Sequence, residues 1–398
     1  MSATEKVIIV GAGPVGLTCA VALSRSGIPV CILEAHHDLQ LDLRATSFHP
    51  ATLDFLSEFG IVDDLVALGR KAPTWQFRDR ETGPVATFHM SILREDDTRH
   101  PFRLQCEQWK LARRLKEILD EMGVPVEFGA RVEAVEQGGD DVALHLGGKR
   151  KGETLHAEYV IGADGAYSRV RESLALPFDG FTYPELFLIA STPYPFERDF
   201  PDLADINYIS DPNEWLIMMH VPGVWRVNIP VSVEGDWDEK LSDKSVQGML
   251  NRVLPRPEPY EIRHRTLYHV HQKVARSFRH GRVALVGDAA HLNNPIGGMG
   301  MNGGIHDAFN LTRKLVRIFA GEDDALLDQY DRQRRTVTNE AVQAHTIRNH
   351  KILSDRDPEK RKETLDELRR IAADPTLSRE YLLKTSMIES VKRANSIR

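Results

Sequence analysis

Near the start of the chain an apolar run, Val7-Ile8-Ile9-Val10, ends in Gly11-Ala12-Gly13-Pro14-Val15-Gly16 and passes into a segment, 17–25, with apolar residues at helical spacing. Gly27 stops that helix, and 30–33 supplies a second strand that ends in Glu34. Strand, glycine turn, helix and strand make a unit that sets two parallel strands side by side through a right-handed crossover. Gly11, Gly13 and Gly16 fit the spacing G-x-G-x-x-G, in which glycines permit a tight turn and close approach of the backbone to a pyrophosphate. The helix N-terminus adds free N–H groups and the positive end of the helix dipole. Glu34, about 20 residues on, stands where an acidic side chain accepts hydrogen bonds from ribose hydroxyls. A glutamate there suits an unphosphorylated adenosine ribose, as in FAD or NAD. A turn packed for structure alone is the plainer alternative.

The chain has 398 residues, 41% hydrophobic and 27% charged, as expected of a soluble globular protein. A prior of roughly 150 residues per domain gives two or three domains. With 51 basic and 58 acidic residues the formal charge is −7, which argues against a broad cationic face for nucleic acid or anionic lipid but leaves room for a local basic pocket. Cys19, Cys31 and Cys106 are odd in number and lack metal-like spacing, so no disulfide framework is expected and a reducing cytoplasm fits. The first apolar run has no basic segment or cleavage site before it and reads as a strand, not a signal peptide. No apolar stretch reaches about 18 residues, so no transmembrane helix is expected. The 16 histidines are scattered without H-E-x-x-H, and no metal is assigned.

Farther along, 51–68 is predicted helical, with Leu53, Leu56 and Phe59 on one face. From about 73 to 101 the pattern alternates, as in Trp75-Gln76-Phe77-Arg78, and predicts strands of a different sheet. Helical periodicity returns over 108–122; 124–136, 142–146 and 159–162 read as strands. Short strands and prolines dominate 177–274, with 216–221 and 225–229 forming a hairpin about Pro222-Gly223. A strand at 283–286 and an amphipathic helix at 305–319 resume the first pattern. The expected organisation is one α/β domain, 1–73, 104–176 and 277–345, interrupted twice by a mostly antiparallel β-sheet domain, 74–103 and 177–276. A charged helical tail, 346–398, follows. It is most simply a set of surface helices, with homodimerisation the sharper reading.

Two more segments repeat the device of a turn after a buried strand. Val160-Ile161-Gly162-Ala163-Asp164-Gly165 runs on to Ser168-Arg169-Val170-Arg171, and Val283-Ala284-Leu285-Val286-Gly287-Asp288-Ala289-Ala290-His291 leads to Pro295-Ile296-Gly297-Gly298-Met299-Gly300-Met301-Asn302. With these three fingerprints in order over residues 1 to about 345, the chain resembles the single-component FAD-dependent aromatic hydroxylases, flavoprotein monooxygenases of the p-hydroxybenzoate hydroxylase fold. The resemblance implies a Rossmann-like FAD-binding domain carrying an inserted substrate-binding sheet. Gly11, Gly13, Gly16 and Glu34 would hold the ADP half of FAD. Arg44 matches an arginine that contacts FAD, and Gln108 a glutamine beside the ribityl chain. Asp164 belongs to the motif associated with FAD and the nicotinamide coenzyme. Gly287-Asp288 would receive the ribityl hydroxyls, since an ionised carboxylate only accepts hydrogen bonds. Pro295 would pack beside the isoalloxazine, and backbone N–H groups at Gly298, Gly300, Met301 and Asn302 would face its pyrimidine edge, suiting reduced flavin. Asn294 stands where many relatives carry a proline.

The implied reaction takes hydride from NADH or NADPH and forms a flavin C4a-hydroperoxide with dioxygen, which hydroxylates a small phenolic or heteroaromatic, acidic ring. Pro295, His220 and Tyr208 are the candidate residues at the reacting centre. Tyr208, Met218, His220 and Arg226 are the candidate substrate contacts. Strand alternation puts Leu216, Met218 and His220 on one face and Trp215, Ile217 and Met219 on the other, and leaves open which one lines the pocket. His291 reads as a packing residue rather than a general base; Arg169 and Arg171 are either solvated or guides for coenzyme phosphates. Alternatives are a flavin dehydrogenase or reductase, a non-catalytic FAD-binding scaffold, and a halogenase, whose W-x-W-x-I-P is approached by Trp225-Arg226-Val227-Asn228-Ile229-Pro230.

Overall fold

Buried apolar strands at 7–10, 30–33 and 159–162 drive the assembly of the first of two eight-stranded sheets in the computed structural model, which describes residues 4–41, 43 and 45–398. Its parallel centre runs Val126–Phe128, Val30–Glu34, Glu5–Val10, Thr154–Gly162, Val283–Leu285. The hairpin Ala130–Gln137 and Val142–Gly148 hangs antiparallel from Thr154–Gly162. Helices Pro14–Arg25, Gln108–Glu121 and Gly300–Phe319 cover the sheet with one continuous core.

The second sheet runs His291–Leu292, His264–Ala275, Phe178–Thr192, Val224–Ser232, Leu216–Val221, Ile206–Ser210, Thr74–Asp79, Gly83–His89. It is antiparallel except where Ile206–Ser210 lies parallel to Thr74–Asp79. The hairpin expected about Pro222-Gly223 forms, with Gly223 at φ +78°. The helix expected over 51–68 is broken: Pro50–Leu56 and a 3-10 turn stop at Gly60, φ +70°, before Val62–Leu68 begins. Glycine takes this left-handed cap without strain. The last helix of the FAD-type pattern starts five residues before its apolar stripe, at Gly300, because glycines pack there without an apolar signature.

The tail is not a set of surface helices. Pro358–Ala373, Pro375–Thr385 and Ile388–Ser396 bury Leu365, Leu368, Ile371, Tyr381, Leu382, Met387 and Ile388 in one cluster with Trp75, Phe77 and Phe88 of the second sheet. Arg361 pairs with Asp79, and Arg379 with Asp97 at 2.6 Å, so charges that look solvent-bound in the sequence fasten the tail to the sheet.

Candidate active site

The three glycine-bearing motifs, 150 and 120 residues apart in sequence, meet at one edge of the first sheet. At Gly11, φ +104°, a Cβ would stand 2.4 Å from the Ala163 carbonyl oxygen, so the first turn lies directly on the second motif. A Cβ on Gly16 would lie 2.0 Å from the Gly11 oxygen, and one on Gly304 would lie 2.7 Å from Val15. The Cβ direction of Gly13, by contrast, meets nothing within 4 Å. Glycine is therefore demanded by packing at Gly11, Gly16 and Gly304, and at Gly13 leaves the backbone open to an approaching ligand. Helices Pro14–Arg25 and Gly300–Phe319 both start without a side-chain cap, so their first N–H groups keep their capacity for an anion or carbonyl. This cradle fits FAD: an open glycine turn for the pyrophosphate and a second uncapped helix for the electron-rich ring.

Glu34 accepts the Ala12 and His36 N–H groups, each at 2.8 Å, and so holds the glycine turn. Asp288 is exposed on the 3-10 turn Gly287–Ala289, and Gln108 is half-buried at the start of its helix. Arg44 lies outside the described residues. Asp164 accepts Ser168 Oγ at 2.5 Å and Val170 N–H at 3.1 Å, which anchors the turn after the strand; burial raises its carboxyl, and these bonds oppose the rise. Arg171 is a structural clamp, donating to the Ala289 and Ala166 carbonyls at 2.9 and 2.8 Å and stacking on Phe178, whereas exposed Arg169 pairs with Glu172.

Beneath the Gly-Asp turn lies a fully buried charge network that sequence patterns did not announce. Asp307 accepts the Gly287 N–H at 3.0 Å, His291 Nε2 at 2.8 Å and Arg334 Nε at 2.6 Å. Burial alone would raise the Asp307 carboxyl, but the charge of Arg334, with His291, more than offsets it and holds it below the usual carboxylate range. His291 is thus a packing and hydrogen-bonding residue, with 0% exposure.

Asn294, the departure from proline, is built into the loop that leads to Gly300. Its Nδ2 donates to Tyr183 Oη and the Thr346 carbonyl, both at 3.0 Å, and its Oδ1 accepts Ile296 N–H at 3.1 Å. Pro295 is half-buried beside it, and its carbonyl takes the Gly298 N–H at 3.0 Å. That leaves Gly300, Met301 and Asn302 at the uncapped helix start as the backbone donors of this loop. The Asn302 side chain bridges Ser47 O, Gly298 O and His49 N–H. His49 Nε2 donates to the Gly297 carbonyl at 2.7 Å, leaving Nδ1 a buried acceptor that meets no donor. Burial, then the nearby Arg103 charge, holds this ring well below the usual imidazole range, so it is neutral.

The second sheet settles which face looks toward that loop. Trp215 and Ile217 pack in the cluster that contains Tyr208, Trp75, Ile296 and Met299, with Met219 against it. Leu216 and Met218 lie in the opposite cluster, under Val246, Met249 and Leu250. Met218 is therefore core, not a pocket residue. His220 follows the same alternation: it stacks on Trp225 at 4.5 Å and lies 3.9 Å from Asp205, away from Tyr208. Burial first, then Arg70, lowers its ring. Arg226 points to the loop side, but it is buried, donates to the Leu43 carbonyl and pairs with Glu107 at 3.7 Å, bracing the sheet against the FAD-type domain. Of the sequence candidates on this sheet Tyr208 packs in the cluster that holds Ile296 and Met299 of that loop.

Around it stand residues that pattern reading missed. Arg103, 2% exposed, sits 4.5 Å over the Trp75 ring, and its Nη1 donates to Tyr208 Oη at 3.3 Å. Trp75 stacks on Phe88 at 4.6 Å, and Phe88 on Tyr381 of the tail at 4.8 Å. In the strand Arg103–Gln105 only Leu104 is apolar, so no local pattern marked Arg103 as buried.

Comparison with known proteins agrees with this geometry. The FAD binding domain family model matches residues 4–345. The chain is 32% identical over 396 residues to para-nitrophenol 4-monooxygenase of Pseudomonas sp. (strain WBC-3), covering 96% of each. It is 33% identical over 390 residues to 6-hydroxy-3-succinoylpyridine 3-monooxygenase HspB of Pseudomonas putida (strain DSM 28022 / S16), covering 96% of this chain and 98% of the relative. The crystal structure of p-nitrophenol 4-monooxygenase PnpA from Pseudomonas putida DLL-E4 superposes with a TM-score of 0.92 at 29% identity over the whole of both chains. Three converging motifs, an interrupting sheet and full-length likeness lead to one conclusion: the chain belongs to the FAD binding domain family, among the single-component FAD-dependent aromatic hydroxylases.

Proposed function

We infer that the protein hydroxylates a small phenolic or hydroxylated heteroaromatic ring, using FAD, dioxygen and NADH or NADPH. The carrying observation is the aromatic enclosure of Trp75, Tyr208 and Tyr381 about Arg103, adjoining the loop of His49, Gly297 and Gly298. The relatives' names, a nitrophenol and a hydroxypyridine monooxygenase, agree in a ring that bears a hydroxyl group.

When bound, FAD supplies hydride acceptance from the coenzyme and activation of dioxygen. The chain's own residues do the rest. The Gly13 turn and the helix start at Pro14 would receive the pyrophosphate, Glu34 the adenosine ribose, and Asp288 with Gln108 the ribityl chain. Pro295 would border the ring system, and the uncapped N–H groups of Gly300, Met301 and Asn302 would be the donors available to stabilise negative charge on it. The aromatic walls hold the substrate ring in place and exclude water. One oxygen atom enters the ring, the other leaves as water, and the nicotinamide is oxidised. No side-chain nucleophile is required. The halogenase alternative loses its basis, because Trp225 of its partial motif packs in the cluster on the far face of the sheet.

The test is aerobic oxidation of NADH and NADPH by the FAD-loaded protein with a panel of phenols and hydroxypyridines. The expected result is faster coenzyme oxidation and a product heavier by one oxygen. Rings that neither accelerate oxidation nor gain oxygen would sink the reading.

A further inference from the structure

A cavity of about 360 Å³ lies between the helices Gly300–Phe319, Leu326–Val337 and Ile388–Ser396, with Phe55 at its side. None of the residues assigned above to FAD lines it. Among the described residues its lining holds four cations, Arg313, Lys314, Arg317 and Arg334, and no carboxylate. The three arginines are each balanced from behind the lining: Arg313 by Glu58, Arg317 by Glu322 at 2.6 Å and Arg334 by Asp307 at 2.6 Å. Lys314 is not. It is 7% exposed, and among the described residues no acidic side chain pairs with it. Its ammonium donates to two neutral oxygens, Asn310 Oδ1 at 2.9 Å and Gln333 Oε1 at 2.8 Å. An ammonium carries three N–H donors, so one is left over. Burial first, then the charges of Arg317, Arg334 and Arg313, push its pKa down to about 8, the response of a cation that the chain itself does not balance. The neighbouring His306 ring, pushed down to about 3, adds no charge. The cavity thus holds one uncompensated positive charge and one spare donor, a costly arrangement for a buried group.

We propose that this cavity is a second ligand site, which binds a small organic monocarboxylate with Lys314 Nζ as its anchor. One unbalanced charge suits one negative charge, whereas a dianion such as sulfate would leave a charge unmatched. Phe55, Val391 and Ala394 offer an apolar wall to the rest of the molecule. The volume lies at the lower end of the range for small-molecule pockets, about 300–1,000 Å³. Val391, Ala394 and Asn395 come from the tail, and Lys314 from the helix whose start carries the uncapped N–H groups of Gly300, Met301 and Asn302. A carboxylate held there would tie the tail to the first domain.

The probe is benzoate, titrated calorimetrically into the FAD-loaded protein, with benzamide as its neutral counterpart and sulfate as a dianion. Benzoate should bind at least about tenfold tighter than either. The flavin absorption spectrum should stay unchanged, since a ring lodged against the flavin would perturb it. Lys314→Gln, which keeps a neutral donor in the same place, should weaken benzoate at least about tenfold while FAD content stays at the wild-type level. Asn395→Trp, at an exposed position of the lining, narrows the cavity without touching the buried lysine and carries the test should Lys314→Gln fail to fold. Wild-type affinity in Lys314→Gln, or in Asn395→Trp where that variant carries the test, would overturn the proposal. So would benzamide or sulfate binding as tightly as benzoate, or benzoate binding only with a change in the flavin spectrum. Lys314-dependent binding in a protein that hydroxylates nothing would leave this site standing and remove the reaction, and hydroxylation without such binding would do the reverse.

Discussion

Replacing Asp307 by asparagine changes one oxygen to nitrogen at the centre of the network under the Gly287-Asp288 turn. The amide can still accept the Gly287 N–H, so the turn keeps a partner, but the charge that balances Arg334 is gone. Asp307 is 0% and Arg334 2% exposed, and Arg334 keeps only the Gly303 carbonyl at 3.2 Å. Removing one partner of a buried ion pair costs about 3–5 kcal/mol, because the other charge stays buried and unbalanced. Against a total stability of about 5–15 kcal/mol, the variant should be marginal. Urea unfolding at a fixed FAD concentration measures the loss, and salt should barely alter it, since buried pairs are poorly screened. Asp307→Leu combined with Arg334→Leu should be less destabilised than the sum of the single changes by about 2 kcal/mol or more, because the pair leaves together. The acid response has a definite sign. The carboxyl is held below its unfolded value, so its contribution is complete above about pH 4 and is lost as pH falls through the folded value. The gap between wild type and Asp307→Asn should therefore close on acidification. A loss under about 1 kcal/mol for the single change, or strict additivity in the double, would refute this account.

Further outcomes follow from other sites. His306 is buried, bonded through Nε2 to Thr52 at 2.9 Å, and pushed down to about 3 by burial and by Arg334. Its folded pKa being depressed, stability should fall as pH drops below about 6.5, by up to about 1.4 kcal/mol per pH unit, and His306→Gln should flatten that slope in pH-dependent unfolding. Gly16→Ala would drive a Cβ to 2.0 Å from the Gly11 oxygen; opening the turn should cost at least about tenfold in FAD affinity, roughly 1.4 kcal/mol, read by quenching of flavin fluorescence. Ending the chain at residue 356 would uncover Leu365, Leu368, Tyr381 and Leu382, and should lower the melting temperature and promote aggregation in light scattering; a truncated chain as stable as the full one would contradict the tail's place in the core.

The glycine-turn motifs were legible because the geometry of each is local. A glycine turn between a buried strand and a helix carries its own geometry, and the three fingerprints each read as strand, turn and helix before their meeting was visible. Pattern reading stopped at the substrate side. Alternation along 215–220 divides the residues into two sets but is symmetric between them, so it named Met218 and His220 as readily as the residues that face the loop. Burial by the helix Asp243–Val253 on one side and by Ile296 and Met299 on the other broke that symmetry. Arg226 looked like a recognition residue because its acidic partner, Glu107, lies far off in sequence.

By itself the sequence determined the α/β framework, the order of the motifs, the dinucleotide cradle and the interrupting sheet, since each depends on spacing and periodicity within tens of residues. Only the tertiary structure decided which face of the second sheet packs against the 295–302 loop, that the charged tail is part of the core, and that Arg103 lies buried without a carboxylate among the described residues. Its contacts span 105 residues to Tyr208 and 282 to Thr385. No local pattern carries such information, because whether a charge is solvated, paired or left for a ligand is settled by what folds over it.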